Sequence, residues 1–92
     1  MIVIALERVP PGLRGRLTRW LLELRAGVFV GKVSALVRDL LWEDVCQKSK
    51  GGSALLVYPA DNEQGFSFRI WGAPSYYIEE FEGLWLMRKP AS

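Results

Sequence analysis

The chain opens on an apolar run: Met1 to Leu6 carries no polar side chain, and Ile2, Val3 and Ile4 are β-branched. That pattern predicts a fully buried strand reaching Glu7. Pro10-Pro11-Gly12 stops it, because neither proline can donate to a ladder and the glycine turns the chain. Beyond the turn, Leu13, Leu17, Trp20, Leu21 and Leu24 fall on a stripe about 100° wide at helical spacing, which predicts an amphipathic helix from Leu13 to Arg25. Arg16, Arg19 and Glu23 share its polar side, while Leu22 lies opposite the stripe, where a monomer has no use for it. Ala26-Gly27 ends the helix, and Val28 to Val30 reads as a short strand closed by Gly31. Ser34 is placed to cap a second helix running to about Lys48. Its residues Val33, Leu36, Val37, Leu40, Leu41 and Val45 are expected to face the core. Ala54 to Tyr58 is a second buried strand, and Asp61 to Gly65 a polar hairpin turn. Phe66, Phe68 and Ile70 then alternate with Ser67, Arg69 and Trp71. After Gly72-Ala73-Pro74 comes a predicted loop with Glu79, Glu80 and Glu82, then a last strand over Leu84 to Met87 and a Lys89-Pro90 tail.

Helices alternating with strands and ending in a hairpin predict an α+β fold, a ferredoxin-like sandwich. Two helices would cover one face of a small, mainly antiparallel sheet, with an extra C-terminal strand. The expected organisation is one domain over residues 1–83, followed by a strand and tail over 84–92 that serve in docking. The uncovered sheet face points to dimerisation. So does size: 92 residues build one small core, and with 50% of them hydrophobic, further burial comes most simply from a homodimer.

Composition removes whole classes of function. With no histidine and one cysteine, Cys46, zinc sites and Ser-His or Cys-His catalysis are excluded. An unpaired thiol fits a reducing cytoplasm. The longest apolar runs are about six residues, far short of a membrane span, and the start of the chain lacks a signal peptide's basic leader. Charge is unevenly spread. Residues 1–38 hold seven Lys/Arg against two acids, a balance of +5, whereas residues 39–92 hold five against eight, a balance of −3. A polyanionic partner should therefore meet the N-terminal half.

The run Glu7-Arg8-Val9-Pro10-Pro11-Gly12-Leu13-Arg14-Gly15-Arg16-Leu17 leads into Trp20-Leu21-Leu22-Glu23 and Ala26-Gly27-Val28-Phe29-Val30-Gly31. Val33-Ser34, Trp42-Glu43, the strand after Gly65 and Glu82-Gly83-Leu84 follow at matching spacing. In this order the chain resembles the type I-E branch of the CRISPR-associated protein Cas two, over nearly its whole length. The resemblance implies a ferredoxin-like homodimer flanked by two dimers of the CRISPR integrase. Together they capture short duplex DNA and insert it into the CRISPR array, the spacer-acquisition step of antiviral defence. Many relatives carry an acid at the end of the first strand that has been linked to a Mg²⁺-dependent nuclease, and Glu7 occupies that position. Some relatives have a DNA-contacting arginine pair where this chain has Ser75 and Tyr76.

Two functions follow as expectations. The first is a non-catalytic scaffold that bridges integrase dimers and holds double-stranded DNA by its backbone. Its nucleic-acid-binding residues would be Arg14, Arg16 and Arg19, whose forked donors and nearby helix N-terminus suit phosphate; the bland alternative is a solvated helix face. The second is a Mg²⁺-dependent endonuclease with Glu7 as catalytic residue and metal ligand. The chain has no second acid near the first strand, so that site requires Glu7 from both protomers, and two adjacent carboxylates ionise together only with a cation between them. Against both stands the plain case of an acid that leaves a strand and meets solvent. Leu84, Trp85, Leu86 and Met87 are the expected partner-binding segment, adding a strand to a sheet edge. Tyr76 and Tyr77 could donate to phosphate or pack on the sheet. Trp42 and Cys46, one helical turn apart, are expected to pack, as are Trp20, Trp71 and Trp85. Asp61, Asn62 and Glu63 read as turn residues.

Overall fold

A computed structural model of the chain describes residues 1–49 and 52–72, and the backbone of 77–81 and 84–88. The opening apolar run forms β1 (Ile2–Leu6). Along the chain follow α1 (Pro11–Thr18), β2 (Leu22–Arg25), β3 (Val28–Gly31), α2 (Ala35–Lys48), β4 (Ala54–Pro59) and β5 (Phe66–Trp71). Those five strands form one antiparallel sheet in the order β2-β3-β1-β4-β5. Strands β6 (Tyr77–Phe81) and β7 (Leu84–Arg88) pair antiparallel in a second, two-stranded sheet. This is the ferredoxin-like α+β sandwich expected from the pattern, extended by strands beyond its usual four.

Period-two alternation sorts the sheet into two faces. Ile2, Ile4 and Leu6 turn to one side with Phe29, Ala54 and Leu56, and both helices close over them with Leu13, Leu17, Leu41 and Val45. The opposite face is also apolar. Val3 sits across from Val30 and Val57, and Ala5 across from Val28 and Leu55. Phe68 and Ile70 continue those two rows onto β5, and Leu22 extends the first onto β2. Neither helix covers this second face, whose residues are half-buried or exposed.

Three expectations need correction. The helix placed at 13–25 ends at Thr18, and Leu22–Arg25 is instead β2. The Leu17–Leu21 spacing does mark a shared buried side, with the Leu21 N–H donating to the Leu17 carbonyl at 2.9 Å. Past that turn, pairing with β3 wins because Gly27, at φ +82°, closes a tight hairpin in which Arg25 faces Val28. Trp20, Leu22 and Leu24 are consequently exposed rather than on a core stripe. On α2, Leu41 and Val45 are buried and Val33 and Val37 pack beside them, but Leu36 and Leu40 are 70% and 53% exposed. They lie about 100° round the helix from Val37 and Leu41, beyond the stripe that reaches the sheet. Finally, the predicted loop over 77–81 is β6, whose Tyr, Ile and Phe favour a strand once β7 supplies a ladder partner. Ser34 caps α2 as expected, accepting from the Val37 N–H at 3.2 Å. No described helix is long and apolar enough to cross a membrane.

Candidate nucleic-acid interface

Glu7 follows directly on β1, at the sheet end where β4 begins. Its N–H donates to the Ser53 carbonyl at 3.0 Å, and the buried Ser53 hydroxyl donates to Glu7 Oε1. Next to it, the Leu6 N–H donates to the Gly27 carbonyl at 2.8 Å. Glu7 is therefore exposed, with its carboxylate held by the Ser53 hydroxyl. Among the described residues, no group of three or more Asp, Glu, His or Cys side chains could hold a metal ion. Mg²⁺ bound to protein usually takes one or two carboxylates, waters and phosphate oxygens. A Mg²⁺ site at this point would therefore draw on Glu7 together with waters, phosphate oxygens or a second carboxylate.

The three arginines of the basic segment do not converge. Arg14 reaches to β2, where its Nε donates to both oxygens of Glu23 at 3.0 and 3.2 Å. Arg16 reaches the other way to α2 and grips Asp44 through two bonds of 2.9 and 3.1 Å. Arg19, at the C-cap of α1, makes no ion pair among the described residues. Both paired arginines remain open to water, with side chains 43% and 52% exposed. Glu23 is tied more firmly than either. The Gly27 N–H donates to its Oε2 at 3.1 Å. That bond first, and Arg14 after it, hold the carboxyl below the ordinary glutamate range despite desolvation.

A second basic cluster, with no signature in the residue pattern, lies on the flank of α2 that faces β5. Arg38 and Arg69 each donate to the same oxygen of Asp39 at 3.0 Å. Their guanidiniums stand 4.4 and 5.2 Å from the centre of the Tyr58 ring. The β4–β5 register pairs Tyr58 with Ser67, so Arg69 shares their face. Hydrogen bonding from Ser67 first, then from Arg69, draws the Tyr58 hydroxyl below its usual pKa against desolvation. Alternation places Arg69 beside Ser67 on one face; what it lacks is the meeting of β5 with α2.

Between α1 and α2 runs a groove of about 270 Å³ whose lining includes Arg16, Trp20, Leu40 and Asp44. Trp42 packs against the core, and Cys46, one turn on, is half-buried, where desolvation pushes its thiol upward in pKa. That is a packing position, as expected. Leu84, Trp85, Leu86 and Met87 all belong to β7, and Tyr77 pairs with Arg88 at the start of β6. Ser75 and Tyr76 lie outside the described residues. Compared with known families, residues 1–86 match the family described as CRISPR-associated protein (Cas_Cas2CT1978).

Proposed function

Since the chain belongs to this CRISPR-associated family, we propose that it acts in spacer acquisition as a non-integrase scaffold of the type I-E kind. It works in the cytoplasm as a homodimer that bridges integrase dimers and holds double-stranded DNA by its backbone. The observation that carries this reading is the division of labour across one sheet. The helix-free face is an unbroken apolar surface over β1, β3, β4 and β5, suited to an isologous contact with a second copy. The arginines of α1 project from the opposite layer, clear of that contact. The Arg14 and Arg16 guanidiniums stay open to water beside their carboxylates, where ion pairs are weak, so a phosphate can bind either arginine. Contacts of this kind position a duplex without reading its sequence. In the two-stranded sheet of β6 and β7 each strand has one edge unpaired among the described residues, which suits strand addition to or from the integrase.

Exposure of Glu7 at a strand end favours the competing enzyme, in which Glu7 of both protomers would hold Mg²⁺ for phosphodiester hydrolysis. One experiment separates the two. Duplexes of unrelated sequence are titrated with the protein across a salt series in Mg²⁺, and the DNA is then checked for cleavage. The scaffold should bind them all alike, leave them intact, and lose affinity with a shallower salt slope in Arg14→Ala with Arg16→Ala. Unchanged binding by that variant at low salt removes α1 from the interface. Cleavage by the wild type that disappears in Glu7→Ala establishes the enzyme instead.

A further inference from the structure

We propose that Arg38, Arg69 and Tyr58 form a second phosphate-binding point for the duplex, on the flank of α2 opposite α1; this rests on the DNA-holding role argued above. Charge within the cluster is unbalanced. Two guanidiniums share a single carboxylate oxygen, Asp39 Oδ1, which leaves one positive charge uncompensated within the cluster. A guanidinium carries five N–H donors. Among the described residues, Arg38 donates through its Nε alone. Its side chain is half-buried, 17% exposed, and a partly desolvated guanidinium with donors to spare among the described residues attracts an oxyanion.

The cluster is also held still in advance. Arg38 comes from α2, Tyr58 from β4 and Arg69 from β5, and the Tyr58 ring draws both guanidiniums toward it by cation–π attraction. An anion arriving there meets donors already oriented, so little side-chain freedom is lost on binding. Asp39, half exposed, is positioned to be displaced from one arginine while still pairing with the other. Helix α1 crosses the sheet between β1 and β2, and α2 between β3 and β4, so Arg38 and Arg69 stand on the β5 flank. They are a separate foothold from Arg14, Arg16 and Arg19. Net charge, fork geometry and pre-set orientation together specify a phosphodiester oxygen pair. A free phosphate has the same chemistry, and the test distinguishes the two.

The full chain is titrated with labelled duplex of arbitrary sequence over a salt series. Arg38→Gln with Arg69→Gln should make the slope of log K against log salt shallower by about 0.9 for each phosphate no longer neutralised. Asp39→Asn, which leaves both guanidiniums uncompensated, should shift affinity and slope in the opposite direction. Circular dichroism checks the fold of the double variant; should it not fold, Asp39→Asn decides alone. Wild-type slopes in the folded variants overturn the proposal. In a parallel arm, inorganic phosphate is added alone. A phosphate-dependent rise in Tm that the double variant loses, with duplex binding unaltered, identifies a small-anion site and overturns the assignment to nucleic acid. A wild-type protein that binds no duplex sinks the scaffold reading itself, a result distinct from variants that change nothing.

Discussion

At the scale of single residues, two glutamates carry opposite kinds of work. Glu23 is structural: it accepts from the Gly27 N–H and from Arg14, joining the β2–β3 turn to α1. Those bonds favour its charged form, so its folded pKa lies below the unfolded one. A depressed carboxyl contributes stability that is present above the unfolded pKa and lost as pH falls through the folded pKa. Wild-type Tm should therefore drop as pH falls below about 4.3, the ordinary glutamate value, and Glu23→Gln should flatten that part of the profile. An equally steep profile in the variant would place the acid sensitivity elsewhere. Glu7 is the exposed one, clamped by Ser53. Glu7→Ala is expected to cost about 1 kcal/mol, because a buried hydroxyl is left without its acceptor. It should abolish any metal-dependent cleavage and leave duplex capture and integrase-driven insertion largely intact. Loss of insertion by a folded Glu7→Ala dimer would contradict the scaffold.

At the scale of elements, what sequence patterning can reveal depends on whether a segment's structure is decided locally. β1, α2 and the β4–β5 hairpin carry their own signals: a β-branched run, a serine cap answered by the Val37 N–H, and a polar turn between alternating residues. β2 does not. Leu21 and Leu24 keep helical spacing with Leu17, and only the pairing of Leu22 and Glu23 with Val30 and Phe29, far along the chain from α1's start, overrides it. The same holds for the site. Glu7 and the α1 arginines are visible as residue types at telling positions, but their partners Ser53, Glu23 and Asp44 arrive from other elements. Arg38 and Arg69 become a cluster only through tertiary contact. β7 yields a prediction at this scale. Deleting residues 89–92 should leave the dimer intact and weaken integrase binding modestly in a pull-down. Deleting 84–92 removes a whole partner of the β6 ladder and should abolish integrase binding. Wild-type affinity after the longer deletion would exclude β7 as the docking strand.

For the molecule as a whole, the two faces of the sheet should fail in different ways when altered. Ile4 and Phe29 are fully buried, so truncating Phe29 to alanine should cost about 3–5 kcal/mol by cavity formation. Val57, opposite Val3 and Phe68 on the helix-free face, is different. Val57→Lys should retain the wild-type circular dichroism spectrum but elute as a monomer in size-exclusion chromatography. A dimer that survives this substitution would mean that the apolar face is not the contact. The apolar face has a further consequence in mass action. If a second copy dries that face, association is linked to folding, and each tenfold increase in protein concentration adds about 1.4 kcal/mol to the stability of the dimer. The melting point would then rise with concentration in the wild type and stay constant in Val57→Lys. Dilution would shed that increment and leave a folded monomer that melts earlier.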